Sequence, residues 1–206
     1  INLENNLEQP EEEHHYNAFK VYGGGLQGNV GGTASVSVQG GKFYDIFGGS
    51  CFADIDGTAK VVIGSEQSAD SDNPINIVNN VYGANDFGGT VKRSVSFGQY
   101  GYGNGNSNKY VKAQTMVQYY SGIVHGNIFG GANGAYNYTN FQIEMTGKYP
   151  VLNTTVTEAN PNFITANTFV HIASTSKRVD GIKGAVYGGG QGYSGATGIV
   201  DVKDTY

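Results

Sequence analysis

A four-residue signature recurs five times in this chain and limits the folds that are open to it. Each copy is a β-branched residue, an aromatic residue, a glycine and a small residue. The copies begin at Val21, Ile46, Val81, Ile128 and Val186, so the intervals between them are 25, 35, 47 and 58 residues. A unit this short cannot enclose a core by itself, so we expect the copies to bury their apolar residues by stacking on one another.

Alternating apolar residues follow the signatures and predict strands with one buried face. These residues are Ala34, Val36 and Val38 after the first copy, Ala59, Val61 and Ile63 after the second, Val95 and Phe97 after the third, and Phe141, Ile143 and Met145 after the fourth. The chain also contains 33 glycines, which disfavour long helices. The sequence therefore predicts an all-β fold, specifically a single-stranded right-handed parallel β-helix, or solenoid, of about 25-residue coils.

The unequal intervals predict loop insertions between coils, at residues 65–80, 99–109 and 148–166. The chain then divides into a leader at residues 1–18 and a repeat domain at residues 19–206. The leader is rich in glutamate. It is either a disordered tail or a cap over the first strand, whose backbone groups would otherwise pair with another chain.

The repeats resemble a known group of sequences. Val-Tyr-Gly-Gly-Gly at 21–25 and again at 186–190, with Phe-Gly-Gly at 47–49 and 129–131, is similar to the glycine-rich β-helix repeats of large secreted, adhesin-like surface proteins of Gram-negative anaerobic bacteria. The resemblance spans residues 19–203. It implies a stalk or adhesive segment outside the cell, and it carries no catalytic motif onto any position of this sequence.

Tyrosines and asparagines cluster in and after one predicted insertion. The tyrosines are Tyr100, Tyr102, Tyr110, Tyr136 and Tyr138. Tyrosine presents a flat apolar face with a polar tip, and asparagine adds hydrogen bonds, a combination suited to a glycan or a protein partner. The alternative is that these rings stack on one another as a structural ladder.

A second insertion holds a cluster of oxygen-bearing side chains at Asp70, Asp72 and Asn73. Calcium prefers oxygen ligands, but it takes six to eight of them, and this cluster does not supply that number alone. Two interpretations stay open, a polar turn without a cofactor and a loop that calcium orders.

The residues give weak support to an enzyme. A pair such as Asp54 and Asp56 meets the carboxylate separation of a glycosidase simply as neighbours on one strand face, so the spacing proves little. Cys51 is the only cysteine and stands in no catalytic pattern, which predicts a buried, inert thiol. A β-helical polysaccharide hydrolase or lyase is the first alternative function.

Charge and hydropathy limit the classes of partner that this protein is expected to bind. The net charge is −5 and the basic residues are scattered, which argues against nucleic acid. No apolar stretch is long enough for a membrane span. We therefore expect a secreted or cell-surface, non-catalytic scaffold or adhesion module that binds a glycan or a protein. A fibre component of a phage or secretion apparatus is the second alternative.

Overall fold

The computed structural model describes residues 17–65, 74–93, 95–101, 108–133, 143–146, 149–152, 166–172, 181–191 and 202–205. The elements of these residues are strands, and no helix occurs among them. The strands are β1 (Ala18–Tyr22), β2 (Ala34–Val38), β3 (Gly41–Phe47), β4 (Ala59–Ile63), β5 (Ile75–Ile77), β6 (Val81–Tyr82), β7 (Val95–Gly101), β8 (Asn108–Ala113), β9 (Thr115–Tyr119), β10 (Ile123–Val124), β11 (Ile128–Phe129), β12 (Ile143–Thr146), β13 (Tyr149–Leu152), β14 (Ala166–Ile172), β15 (Val186–Tyr187) and β16 (Val202–Thr205).

A seven-stranded parallel sheet collects the five signatures. It contains β1, β3, β5, β6, β10, β11 and β15. The first residues of the signatures are register partners, and they follow one another in the order Val21, Ile46, Val81, Ile128 and Val186. Intervals of 25 to 58 residues thus return the chain to the same register every time.

A five-stranded parallel sheet has the order β16-β14-β9-β4-β2. In β2, Ala34, Val36 and Val38 are buried while the two serines between them are exposed. The same three positions pair with Ala59, Val61 and Ile63 of β4. The alternating pattern of the sequence therefore marks one buried face of this sheet.

The main core is aliphatic and joins residues from both sheets. Ile46, Val81 and Ile128 of the seven-stranded sheet belong to one buried cluster with Val61 and Val117 of the five-stranded sheet. Burying one such side chain contributes about 1.5 to 3 kcal/mol. We call the side of the seven-stranded sheet that carries this cluster its inner face.

The second residue of each signature lies on the outer face of the same sheet, because neighbouring side chains on a strand point to opposite sides. These five aromatic side chains form what we call the ring column: Tyr22, Phe47, Tyr82, Phe129 and Tyr187. Successive rings are stacked, with centroids 4.8 to 5.1 Å apart and planes within 17° of parallel. The spacing follows the distance between adjacent strands.

The glycine at the third signature position is required by close backbone packing. A Cβ atom built on Gly48 would lie 2.5 Å from the carbonyl oxygen of Gly83 and 3.0 Å from a methyl carbon of Val61. The corresponding glycines at 23, 83 and 130 meet the carbonyl oxygen of the next copy in the same way. Any larger residue at these positions would push neighbouring strands apart.

The predicted single-stranded right-handed parallel β-helix of about 25-residue coils is wrong. The described strands form two parallel sheets, one curled into a half-barrel, and two antiparallel hairpins, β7 with β8 and β12 with β13. The alternating stretches after the third and fourth signatures enter these hairpins instead of stacking. Their places in the five-stranded sheet are taken by β9 and β14, which lie further along the chain.

The proposed leader at residues 1–18 lies almost entirely outside the described residues, and β1 begins at Ala18. Within the part of the chain that the structure covers, there is no helix of the length and hydrophobicity that a membrane span needs.

Candidate functional site

The predicted ligand-binding tyrosines lie at the edge of what the structure describes. Tyr100 belongs to β7 and Tyr110 to β8, and the two strands pair antiparallel, with Tyr110 opposite Gln99. Tyr102, Tyr136 and Tyr138 lie outside the described residues. The hairpin therefore places the backbones of Tyr100 and Tyr110 one register step apart.

The predicted calcium ligands Asp70, Asp72 and Asn73 also lie outside the described residues. Within the ranges given above, no group of three or more His, Cys, Asp or Glu side chains is arranged to hold a metal ion. A calcium site therefore remains a prediction.

The carboxylate pair considered for glycosidase chemistry is bound to a lysine. Lys92 Nζ lies 3.2 Å from Asp54 and 2.9 Å from Asp56. The backbone amide and the side-chain hydroxyl of Thr90 both donate hydrogen bonds to Asp54 at 2.9 Å. The hydrogen bond from the backbone amide is the main reason that the pKa of Asp54 is lowered. A carboxyl that stays ionised to lower pH is a poor general acid.

A group of charged and polar side chains surrounds Asp86, on the outer face of the seven-stranded sheet. The Asp86 side chain is 0% exposed. It accepts hydrogen bonds from Lys20 Nζ at 2.9 Å and from the hydroxyl of Tyr22 at 2.7 Å, both on Oδ2, and from the amide of Asn133 at 2.8 Å on Oδ1. We call Lys20, Tyr22, Asp86 and Asn133 the Asp86 cluster.

A ladder of side-chain oxygens runs beside the ring column, at the position before the second, third and fourth signatures. Asp45 Oδ1 accepts from the backbone amide of Asn80 at 2.9 Å, and Asn80 Oδ1 accepts from the backbone amide of Asn127 at 2.8 Å. Asn127 Oδ1 continues to the amide of Ala185 at 2.8 Å. We call Asp45, Asn80 and Asn127 the polar ladder.

Burial sets the protonation of the groups around these two features. It raises the pKa of Asp45 to about 6, and Asp45 is 5% exposed. Burial raises the pKa of the Cys51 thiol to about 12, so Cys51 is a buried, protonated thiol, as the sequence predicts. Burial, followed by the charge of Asp86, raises the pKa of Tyr22 well above its usual range, so its hydroxyl keeps the proton that it donates.

Sequence reasoning missed both the Asp86 cluster and the polar ladder. The signal was present, because the residue before the signature is polar in four of the five copies: Lys20, Asp45, Asn80 and Asn127. A second polar column occurs five residues after the first signature residue, at Asp86, Asn133 and Gln191. Extending the signature by these two positions would have predicted polar groups on both sides of the rings.

Chemically, the Asp86 cluster is an internal site. Its carboxylate receives three donors from the protein itself and has no contact with solvent. Comparison with known proteins gives no independent assignment, since no family model, no curated protein and no solved structure matches this chain.

Proposed function

We propose that this chain is a non-catalytic scaffold or adhesion module of a secreted or cell-surface bacterial protein. The proposal is supported by the Asp86 carboxylate on the outer face. Its side chain is buried, and it accepts hydrogen bonds from side chains of the protein itself. An enzyme needs reactive groups that a substrate can reach, whereas a scaffold needs buried groups that hold its strands in register. The localisation rests on the sequence resemblance and on composition.

The protonation of the described acids supports a scaffold over a hydrolase. Glycoside hydrolysis takes an accessible carboxylic acid with a raised pKa and a second, ionised carboxylate. In the described residues, Asp45 has the raised pKa but is buried, while Asp54 is accessible but has a lowered pKa. The two properties are therefore separated onto different residues.

Ligand binding is assigned in this proposal to the hairpin of β7 and β8 and to the tyrosines near it. Tyr100, Tyr102 and Tyr110, with Tyr136 and Tyr138, would offer stacking faces to the rings of a glycan. The asparagines between them would bind its hydroxyl groups. Short β-strands hold the two ends of this loop at a fixed separation, which lowers the entropic cost of binding.

A glycan array tests this function on the full chain. We expect at least one glycan to bind, and we expect the double substitution of Tyr100→Ala and Tyr102→Ala to abolish that binding without changing the urea midpoint of unfolding. Tyr187→Ala is the matched control, because Tyr187 is 48% exposed and lies outside the hairpin. Release of sugar from a polysaccharide by the wild-type chain, or equal glycan binding by the double variant, contradicts the proposal.

A further inference from the structure

Lys20 and Asp86 are 66 residues apart in sequence and form a partly buried contact of 2.9 Å between Nζ and Oδ2. The lysine side chain is 15% exposed and the aspartate side chain is 0% exposed. Two aromatic rings cover the amine, with Nζ lying 5.4 Å from the ring centre of Phe47 and 5.2 Å from that of Phe87. A primary amine and a carboxyl group are thus held together beneath two aromatic rings.

The other members of the Asp86 cluster polarise the carboxyl group. The hydroxyl of Tyr22 donates to the oxygen that faces the amine, and Asn133 donates to the other oxygen. Hydrogen-bond donors on both oxygens withdraw electron density from Cγ and stabilise negative charge on oxygen if Cγ becomes tetrahedral. Such polarisation makes Cγ more susceptible to attack by an amine.

A second carboxyl group stands next to the lysine. Lys20 and Asp45 are direct register partners on the adjacent parallel strands β1 and β3, so their side chains leave the same face of the sheet. The next two copies have Asn80 and Asn127 at this position of the polar ladder. An asparagine side chain is therefore sufficient to accept the hydrogen bond of the polar ladder. The carboxyl group of Asp45 occurs only at the copy next to Lys20.

We propose that Lys20 and Asp86 form an intramolecular amide bond, with Asp45 as the group that accepts and returns protons. Asp45 takes one proton from the Lys20 ammonium, the lone pair freed on Nζ attacks Cγ of Asp86, and one Cγ–O bond breaks with its electron pair leaving on oxygen. That oxygen departs as water with two protons that come from Nζ. One ammonium and one carboxylate give one amide and one water, so the step needs no oxidant, reductant or further reactant.

The surroundings favour the product over the ion pair. Two buried charges carry a desolvation cost that their attraction offsets only in part, and a neutral amide removes both charges. Whichever oxygen remains already has a donor, Tyr22 for Oδ2 or Asn133 for Oδ1, so the amide carbonyl would be hydrogen-bonded. Because the pKa of Asp45 is about 6, its protonated and ionised forms both occur near neutral pH, as a proton carrier requires.

Intact mass of the full chain under denaturing conditions tests the bond. We expect the wild-type mass to be lower than the sequence mass by one water. Trypsin should then fail to cleave after Lys20 and should yield a branched product in which residues 1–42 are joined to residues 61–92. A folded wild-type chain, shown by its β-sheet circular dichroism, that has the full sequence mass overturns the proposal.

Lys20→Arg is the matched control, because arginine keeps the positive charge and the contact with Asp86 but should not form the amide. We expect the full sequence mass for this variant. The control also separates the bond from water loss at Asp56-Gly57, a dipeptide that can close to a succinimide and that is unchanged in the variant. Equal loss of water from Lys20→Arg would overturn the assignment to Lys20.

Substitution of Asp45 tests the proton transfer separately from the fold. Asp45→Asn keeps the side-chain oxygen that accepts from Asn80, as the asparagines of the next copies do. We expect it to slow the loss of water that follows the first folding of the newly made chain by about a hundredfold or more. Asp45→Glu should restore part of the rate. Water loss from Asp45→Asn at the wild-type rate would remove Asp45 from the mechanism.

Discussion

At the centre of the seven-stranded sheet both faces are buried, but they are built from different chemistry. The inner face presents β-branched residues such as Ile46 and Val81 to the aliphatic core. The outer face presents the ring column, and polar side chains lie on both sides of it. The same short signature supplies both layers, with its first residue facing inward and its second facing outward.

The comparison shows that alternation on a strand does not by itself identify a solvent-facing side. In β2 the residues between the buried ones are exposed serines. In the signature strands those positions hold aromatic rings, and Phe47 is as fully buried as Ile46. The outer layer adds a property that the inner core lacks, because its polar neighbours accept or donate hydrogen bonds at fixed positions and so define the register.

The largest expected loss of stability comes from truncating a large side chain at the centre of either face. Phe47→Ala should destabilise the protein by about 3 to 5 kcal/mol and Ile46→Ala by about 2 to 5 kcal/mol, because each leaves a cavity in a close-packed region. Tyr187→Ala, at the exposed end of the ring column, should cost less than about 1 kcal/mol. Urea unfolding measures all three. A Phe47→Ala variant as stable as Tyr187→Ala would show that the outer layer is not a core.

A second prediction concerns the pH dependence of stability, which distinguishes the outer face because Asp45 lies there. Desolvation raises its pKa from 3.8 to about 6 in the folded state, so the folded protein holds this proton more tightly than the unfolded chain does. The stabilisation from protonated Asp45 is complete below about pH 4 and is lost as the pH rises through about 6, an effect on the order of 2 to 3 kcal/mol.

Asp45→Asn provides the control for that prediction. The difference in unfolding free energy between wild type and Asp45→Asn, measured in urea between about pH 4 and pH 7, should move in favour of the variant as the pH rises. A difference that stays constant across this range would show that Asp45 does not titrate as its burial indicates.

The smallest expected effect tests the glycines that let neighbouring copies of the signature pack closely. Gly48→Ala should cost about 1 to 3 kcal/mol, because the added methyl group would overlap the carbonyl oxygen of Gly83. Gly31→Ala is the matched control, since no atom lies within 4 Å of a Cβ built there, and we expect it to be nearly neutral. Thermal melting of the two variants distinguishes them. Equal melting temperatures would show that strand spacing does not depend on Gly48.

The sequence predicted strands and which residues stack, but it did not predict how the sheets are arranged. The alignment of Val21, Ile46, Val81 and their equivalents follows from the repeated signature, because identical local residues form identical local contacts. The strand that follows each signature was harder to assign. Apolar alternation is equally compatible with a parallel sheet and a hairpin, and the third and fourth copies use it for hairpins.

The Asp86 cluster could not be predicted because its members come from three separate parts of the chain. Lys20, Asp86 and Asn133 meet only when copies one, three and four are in register, and the sequence does not state which copies a side chain bridges. The polar ladder was more accessible, since Asp45, Asn80 and Asn127 hold the same position in their copies. Comparing the residues that lie at the same distance from each copy of the signature would identify such features.

The constant register of the signatures has a practical consequence. Since segments of 25, 35, 47 and 58 residues all bring the chain back to the same position, the length of chain between two signatures is not fixed by the sheet. Foreign peptides, such as an epitope or an enzyme tag, could be grafted between signatures while the sheets keep their pairing. The protein would then serve as a display platform whose cargo varies independently of its frame.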